Sequence, residues 1–304
     1  ALQIIFAAFL EEGDTVLAPG PHYPPYMAYP QMYGGTTVEY RLDPDDGWRI
    51  DLDDISSKMD DSVRLLVLIN PNNPTGNVAT PEEVDALIEI ASQWPKCTII
   101  ADEIYEHLTY DDNVHHSMRA LVPEIADHFV AVNGVAKTYA MTGWRIGWMI
   151  GPDDLIRAAG NLQSHGTSNV ANVSQRAALA AVSGDLTDVA DMRASFDRRR
   201  RRMVEMLRAI EGVDLLTPQG AFYAFPDLTA FLGRKVAGRV ASTTSELATI
   251  ILEEANVAIV PGEAFGAPGY ARLSFALGDD DLGRLGHNSA DYLHLVLEAL
   301  AIAF

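Results

Sequence analysis

The residues of this chain that could do chemistry begin with Lys137. It stands in NGVAKTYAMTGWRIGW (133–148), among small and apolar neighbours, with Arg145 eight positions further on. Two cations in a charge-poor segment of a chain with 42 acidic and 22 basic residues call for a reason. A desolvated lysine has a lowered pKa, and its free amine is a nucleophile towards carbonyl carbon. Other polar residues gather at the ends of apolar runs. VRLLVLIN (63–70) leads into PNNPTG with Asn72 and Asn73, TIIA (98–101) into Asp102, Glu103 and Tyr105, and FVAV (129–132) into the loop of Lys137.

Those runs are the elements that must position the chemistry. Continuous apolar segments of this length read as parallel strands buried on both faces, at 63–70, 97–103 and 128–134, with 145–151 as a fourth and shorter runs at 15–18 and 36–41. Helical patterns alternate with them. One occupies the chain start and ends at Gly13; another begins at Thr80-Pro81-Glu82-Glu83, an N-cap, a first-turn proline and a capping-box glutamate. Pro152-Asp153-Asp154 opens a further helix. Strands alternating with helices predict an α/β domain with a mostly parallel sheet. In such sheets ligands bind beyond the carboxyl ends of the strands, and three crossovers deliver an amide, an acid, a phenol and an amine to that edge. Past about residue 168 the pattern changes to long helix over 174–210, interrupted near Gly184. Short strands at GVDLLTP, GAFYAFPD, VAIVPG and YARLSFA and a helix over 245–255 follow, an α+β arrangement.

A Schiff-base lysine serves carbonyl substrates or pyridoxal phosphate. A plain carbonyl aldolase would leave Asp102, Tyr105 and Arg145 without roles. Pyridoxal phosphate employs them: an ionised Asp keeps its pyridine nitrogen protonated, Tyr and Asn serve its ring hydroxyl, and Arg serves its phosphate. The ordered motifs PHYPPY (21–26), NPNNPTG (70–76), ADEIYEHLTYD (101–111), NGVAKTYAMTGWRIGW (133–148), PQGAFYAFPD (218–227), VAIVPGEAFG (257–266) and YARLSFA (270–276) together carry a resemblance. The chain resembles the aspartate aminotransferase family, class I/II aminotransferases of fold-type I, from its first helix to about residue 280.

The resemblance implies roles. Lys137 is the Schiff-base lysine, Asp102 pairs with the pyridinium nitrogen, and Tyr105 and Asn73 hydrogen-bond the ring hydroxyl. Tyr23 stacks on the ring, Arg145 holds the phosphate, and Arg272 forms a bidentate fork for the substrate carboxylate, which Asn73 also touches. It also implies a pyridoxal-phosphate-binding large domain over 1–200 and a small α+β domain over 201–304, ping-pong transamination between an L-amino acid and a 2-oxo acid such as 2-oxoglutarate, and a homodimer. The aspartate/prephenate branch looks nearest, through FPDLTAFLGRKVAGRV and LEEANVAIVPGEAFG. A pyridoxal-phosphate-sensing domain of a transcriptional regulator and a fold-type I carbon–sulfur lyase are the alternatives.

Some features depart from the family pattern. Its glycine-rich phosphate turn and N-terminal covering segment lie before Ala1, so the sequence is expected to begin inside a longer protein. Ala136 stands where many relatives carry Ser, and the tail after Leu282 matches poorly while keeping spacing compatible with a helix. Gly134 and Ala136 read as room for the cofactor.

The formal charge of −20 argues against nucleic acid or an anionic membrane as partner. In DRRRRRM the five arginines, Arg198–Arg202, surround a helix and do not form a stripe, so a solvated or acid-paired surface is expected. The single cysteine, Cys97, reads as a small core residue in a reducing compartment. No apolar run reaches membrane-spanning length and no signal-peptide pattern is present, so a soluble cytoplasmic protein is expected. Gly143, Gly147 and Gly151 are not read as a membrane dimer motif. His107, His115 and His116 lack ligand spacing beyond adjacency, and no metal is expected.

Overall fold

The computed structural model describes residues 1–118 and 128–277. The tail after Leu282 and its expected helix lie outside the described residues. In chain order the elements are α1 (Leu2–Phe9), β1 (Thr15–Gly20), α2 (Pro25–Met32), β2 (Thr36–Asp43), β3 (Arg49–Ile50), α3 (Leu52–Lys58), β4 (Val63–Ile69), α4 (Pro81–Ser92), β5 (Thr98–Asp102), β6 (Phe129–Gly134) and β7 (Gly147–Ile150). They continue with α5 (Asp153–Gly166), α6 (Asn172–Ser183), α7 (Thr187–Arg208), β8 (Tyr223–Ala224), β9 (Lys235–Val236), β10 (Arg239–Val240), α8 (Thr244–Ala255), β11 (Val260–Pro261) and β12 (Ala271–Ser274).

Seven strands form one sheet in the order β3-β2-β1-β4-β5-β6-β7. The pairs from β2 through β6 are parallel, and the edge pairs β2/β3 and β6/β7 are antiparallel. On β4, Leu65, Val67 and Ile69 enter one core with Ile5, Phe6 and Tyr26, while Leu66 and Leu68 enter another with Val84 and Leu87. Successive side chains point to opposite faces, so helices on both sides make every position apolar. That is why the run reads as continuous and not alternating. The capping box at Thr80 is formed: its hydroxyl accepts from Glu83 N, and the Glu83 carboxylate accepts from Thr80 N.

Several expectations are corrected. The first helix stops at Phe9, because Leu10 turns extended (φ −94°, ψ 137°) and Gly13 adopts φ +93° on the way into β1. The fourth strand, expected buried, is β7; it runs antiparallel at the sheet edge and is only partly covered. GVDLLTP forms only an isolated bridge, Asp214 to Asp227. The arginine run is not all surface. Arg200 is 1% exposed; its Nη2 donates to both carboxylate oxygens of Asp111 at 2.9 Å, its Nε to Asp197 Oδ1 at 2.8 Å and its Nη1 to Pro218 O at 2.7 Å. A run that surrounds its helix must send one member inward, and a buried guanidinium holds only when fully paired.

A three-stranded antiparallel sheet, β11-β12-β8, and the β9–β10 hairpin follow α7. The hairpin turns on Ala237 and Gly238, both at positive φ. Helix α7 is continuous through residue 200, and its Phe196, Met203, Val204 and Leu207 join a third core that extends to Phe275. Cys97 is buried, and burial pushes its thiol up to about 12, so it is inert packing. No helix among the described residues is long and apolar enough to cross a membrane.

Candidate active site

Tyr23, Asn73, Asp102, Tyr105, Lys137, Arg145 and Arg272 all line one cavity of about 560 Å³. They arrive on separate elements. Asp102 ends β5, Asn73 follows β4, the loop from β6 to β7 carries Lys137 and Arg145, the turn after β1 carries Tyr23, and β12 carries Arg272.

The inner wall is built around Asp102, which is 7% exposed. Its Oδ2 accepts from Tyr26 Oη at 2.8 Å, and its Oδ1 from Ile104 N at 3.4 Å. Burial pushes its pKa up to about 6; the bonds from Tyr26 and Ile104 oppose that rise, Glu103 adds to it, and Lys137 opposes it. Tyr26 is fully buried on α2, edge-on to Phe6 at 6.1 Å. Tyr105 is buried as well, its hydroxyl 2.9 Å from that of Tyr223, and burial followed by Tyr223 holds its pKa well above the usual phenol value.

Arg272 approaches from the small sheet. Its Nη1 donates to Asn73 Oδ1 at 2.9 Å, and its guanidinium lies 4.3 Å from the Tyr223 ring and 4.8 Å from the Phe265 ring. Stacking of this kind suits a planar guanidinium and not an ammonium. Asn73 is itself fixed by its turn. Asn72 Oδ1 accepts from Thr75 N and Oγ1, Asn72 O accepts from Gly76 N, and Gly76 O accepts from Gln219 N and Gly220 N. Gly76 adopts φ +74°, and a Cβ there would meet Pro218 Cβ at 2.9 Å, so the turn requires glycine.

The outer wall is open. Lys137 is half-buried with its Nζ 5.4 Å from the centroid of the Phe222 ring. Burial lowers its pKa, Arg272 and then Arg145 lower it further, and Asp102 opposes them. Arg145 is exposed in the left-handed region (φ 56°) after a short 3-10 turn, and it donates to Thr142 O at 2.9 Å. Thr142 Oγ1 donates to Ala136 O, tying that turn to the lysine loop. Tyr23 is 38% exposed, its ring 6.4 Å from that of Tyr26.

Two tyrosines that shape the site, Tyr223 on the cavity wall and Tyr26 behind Asp102, were not singled out by sequence. Tyr26 had a usable signal, since Tyr23, Tyr26 and Tyr29 recur every third residue at a helix start; Tyr23 and Tyr29 line the cavity and Tyr26 bonds Asp102 from behind. Tyr223 had none, its partner being far away in sequence. One expectation is corrected: Gly134 does not make room for a cofactor. A Cβ there would stand 2.8 Å from Ile146 O and 3.0 Å from Gly147 Cα, so the space belongs to the β7 backbone. Ala136 does line the cavity.

A pyridoxal phosphate fits this donor set. An acid held beneath the surface can face a ring nitrogen, phenols and an amide flank it, an amine of lowered pKa stands at the wall, and an arginine waits at the mouth. The family model for class I and II aminotransferases matches residues 1–285. The chain belongs to that family. The family is pyridoxal-phosphate-dependent, and this chain is a transaminase. It is 51% identical to the aspartate aminotransferase of Streptomyces avermitilis over 285 residues, covering 93% of the chain and 69% of that relative. A probable aspartate/prephenate aminotransferase of Aquifex aeolicus is 39% identical, covering 92% and 70%. Among solved structures, the aspartate aminotransferase from Rhizobium meliloti matches with TM-score 0.89 and 33% identity, covering 99% of this chain and 73% of that one. The aspartate aminotransferase from Thermus thermophilus with maleate matches with TM-score 0.85 and 32% identity, covering 98% and 73%. These likenesses place the aminotransferase in fold-type I.

Proposed function

We propose that this transaminase takes its amino group from aspartate and gives it to a 2-oxo acid such as 2-oxoglutarate. The observation that carries the reading is the joint presence of Lys137, Asp102, Arg145 and Arg272 around one cavity. Relatives at 51% and 39% identity are named for aspartate, and one similar structure is described with maleate, a dicarboxylate. The regulator and carbon–sulfur lyase readings are not favoured by these names.

Bound pyridoxal phosphate supplies an electron-poor ring that accepts the electron pair left at the substrate Cα when its proton departs. The remaining work belongs to the chain. Arg272 clamps the substrate α-carboxylate, and the bond to Asn73 holds its fork in register before substrate arrives. Lys137 is the group that carries the cofactor aldehyde and moves the Cα proton. Its lowered pKa gives it more free amine at neutral pH than an ordinary lysine. Asp102 holds a proton on the ring nitrogen, and the Tyr26 bond fixes the carboxylate orientation. Tyr105 and Asn73 serve the ring hydroxyl, Tyr23 covers a ring face, and Arg145 neutralises the phosphate.

The proposal extends to a division into a large domain over 1–200 and a small one over 201–304, and to a homodimer. Exposed Val173, Leu179 and Val182 on α6 supply apolar surface for a second copy. A reducing compartment such as the cytoplasm is the proposed location, supported by the single buried thiol. The substrate assignment is tested by adding aspartate, glutamate, phenylalanine or alanine singly to the cofactor-loaded protein and following absorbance. Aspartate converts the spectrum to the pyridoxamine form most efficiently; preference for another donor overturns the assignment.

A further inference from the structure

Behind the inner wall lies a cluster that the transamination chemistry does not use. Glu103 and Glu106 sit in the same DEIYE segment as Asp102 and Tyr105, yet neither lines the cavity. His115 folds back over them. Each of the three offers one ligand atom, and these atoms all lie within 4.8 Å of one another. The His115 side chain is 8% exposed, its Nε2 stands 3.7 Å from Glu103 Oε1, and neither ring nitrogen has a hydrogen-bond partner. A buried imidazole aimed at two carboxylates with both nitrogens unsatisfied is costly unless something occupies the gap.

We infer that Glu103, Glu106 and His115 form a site for a divalent transition-metal cation, with Zn²⁺ the ion the donors suit best. One imidazole nitrogen with two carboxylates is a mixed nitrogen–oxygen set. Such a set favours Zn²⁺ and its neighbours over Mg²⁺ or Ca²⁺, which take all-oxygen shells. Three protein ligands leave a fourth position of a tetrahedron for water. Metal–ligand bonds of about 2.1 Å put ligand atoms roughly 3.4 Å apart, so separations within 4.8 Å need to close by at most about 1.4 Å through side-chain rotation. The carboxylates already carry supporting bonds of the kind that orient metal ligands. Ser117 Oγ donates to Glu103 Oε2 at 3.0 Å, and Asn133 Nδ2 donates to Glu106 Oε1 at 2.7 Å. Asn133 lines the active cavity, so a cation here braces the back of the catalytic wall and pins the 111–117 loop to the end of β5.

The test uses cofactor-loaded protein stripped with a chelator, dialysed against Zn²⁺ or Mg²⁺, passed through gel filtration and assayed for metal by mass spectrometry. The parent chain retains about one Zn²⁺ and no Mg²⁺, and Zn²⁺ raises its melting temperature. His115→Ala loses both the retained Zn²⁺ and the thermal shift. Ser117→Ala keeps the site with about tenfold weaker affinity. If His115→Ala fails to fold, Glu106→Gln serves in its place, with the same loss expected. Parent and variants retaining equal Zn²⁺, a parent that retains none, or Mg²⁺ held as well as Zn²⁺ overturns the site.

Discussion

The two ends of the active cavity are built on opposite principles. At the inner end Asp102, Tyr26, Tyr105 and Tyr223 are buried, and each polar group already has a hydrogen-bond partner. At the outer end Arg145 and Tyr23 are exposed. Arg145 meets a backbone carbonyl and, among the described residues, no carboxylate, although the chain carries a formal charge of −20. The inner end has its desolvation and orientation settled by folding, which is where preorganised electrostatics act most strongly. On the proposed reading, Arg145 is left for an arriving anion to neutralise. On the same reading, folding fixes the end that tunes the cofactor ring, and ligand binding completes the end that recruits it.

Mutations at the two ends should separate rate from affinity. The largest effect belongs to the half-buried lysine of the open wall: Lys137→Ala lowers turnover by about four orders of magnitude and removes the visible band of the cofactor-loaded protein. Steady-state assay and absorbance check both. Asp102→Asn at the inner end lowers kcat by about 10²–10³-fold while cofactor remains bound after gel filtration. Arg145→Met at the outer end does the reverse, weakening cofactor affinity by about 10–100-fold, the loss of a charged hydrogen bond of roughly 1.5–3 kcal/mol. With cofactor in excess, its kcat stays within a few-fold of the parent.

The smallest effect concerns pH. Burial, Arg272 and Arg145 lower the Lys137 pKa, so the amine is deprotonated, and reactive to aldehydes, at lower pH than an ordinary lysine. Arg272→Leu removes one like charge and moves the pH midpoint for cofactor attachment to the cofactor-free protein upward. Rapid-mixing absorbance across pH checks it; a midpoint that stays or falls breaks the electrostatic link across the cavity.

Much of this was legible in the sequence because it is local. The runs that become β4, β5 and β6 declare themselves by being apolar on both faces, and the residues at their ends fall on one edge by the geometry of parallel sheets. Thr80 and Glu83 are three residues apart and announce a helix start directly. What was not legible is non-local. Tyr26 meets Asp102 across 76 positions, and Tyr105 meets Tyr223 across 118. No periodicity carries such pairings. Arg200 turned inward because Asp111, 89 positions away, receives it. His115 looked inert for the same reason: its neighbours are set by the path of a loop. β7 kept strand composition, but its place at the sheet edge, antiparallel to β6, depends on the connecting loop and not on its own residues.

The central claim is that Lys137, of all amines in the chain, carries the cofactor. The chain contains only three other lysines, Lys58, Lys96 and Lys235, and Lys58 is tied up with Asp54 and Glu39 O. Borohydride reduction of the cofactor-loaded protein, followed by digestion and mass mapping, reads the attachment point directly. A single pyridoxyl group on Lys137 is the predicted result. A label on Lys58, Lys96, Lys235 or the N-terminal amine, with Lys137 unmodified, would contradict it.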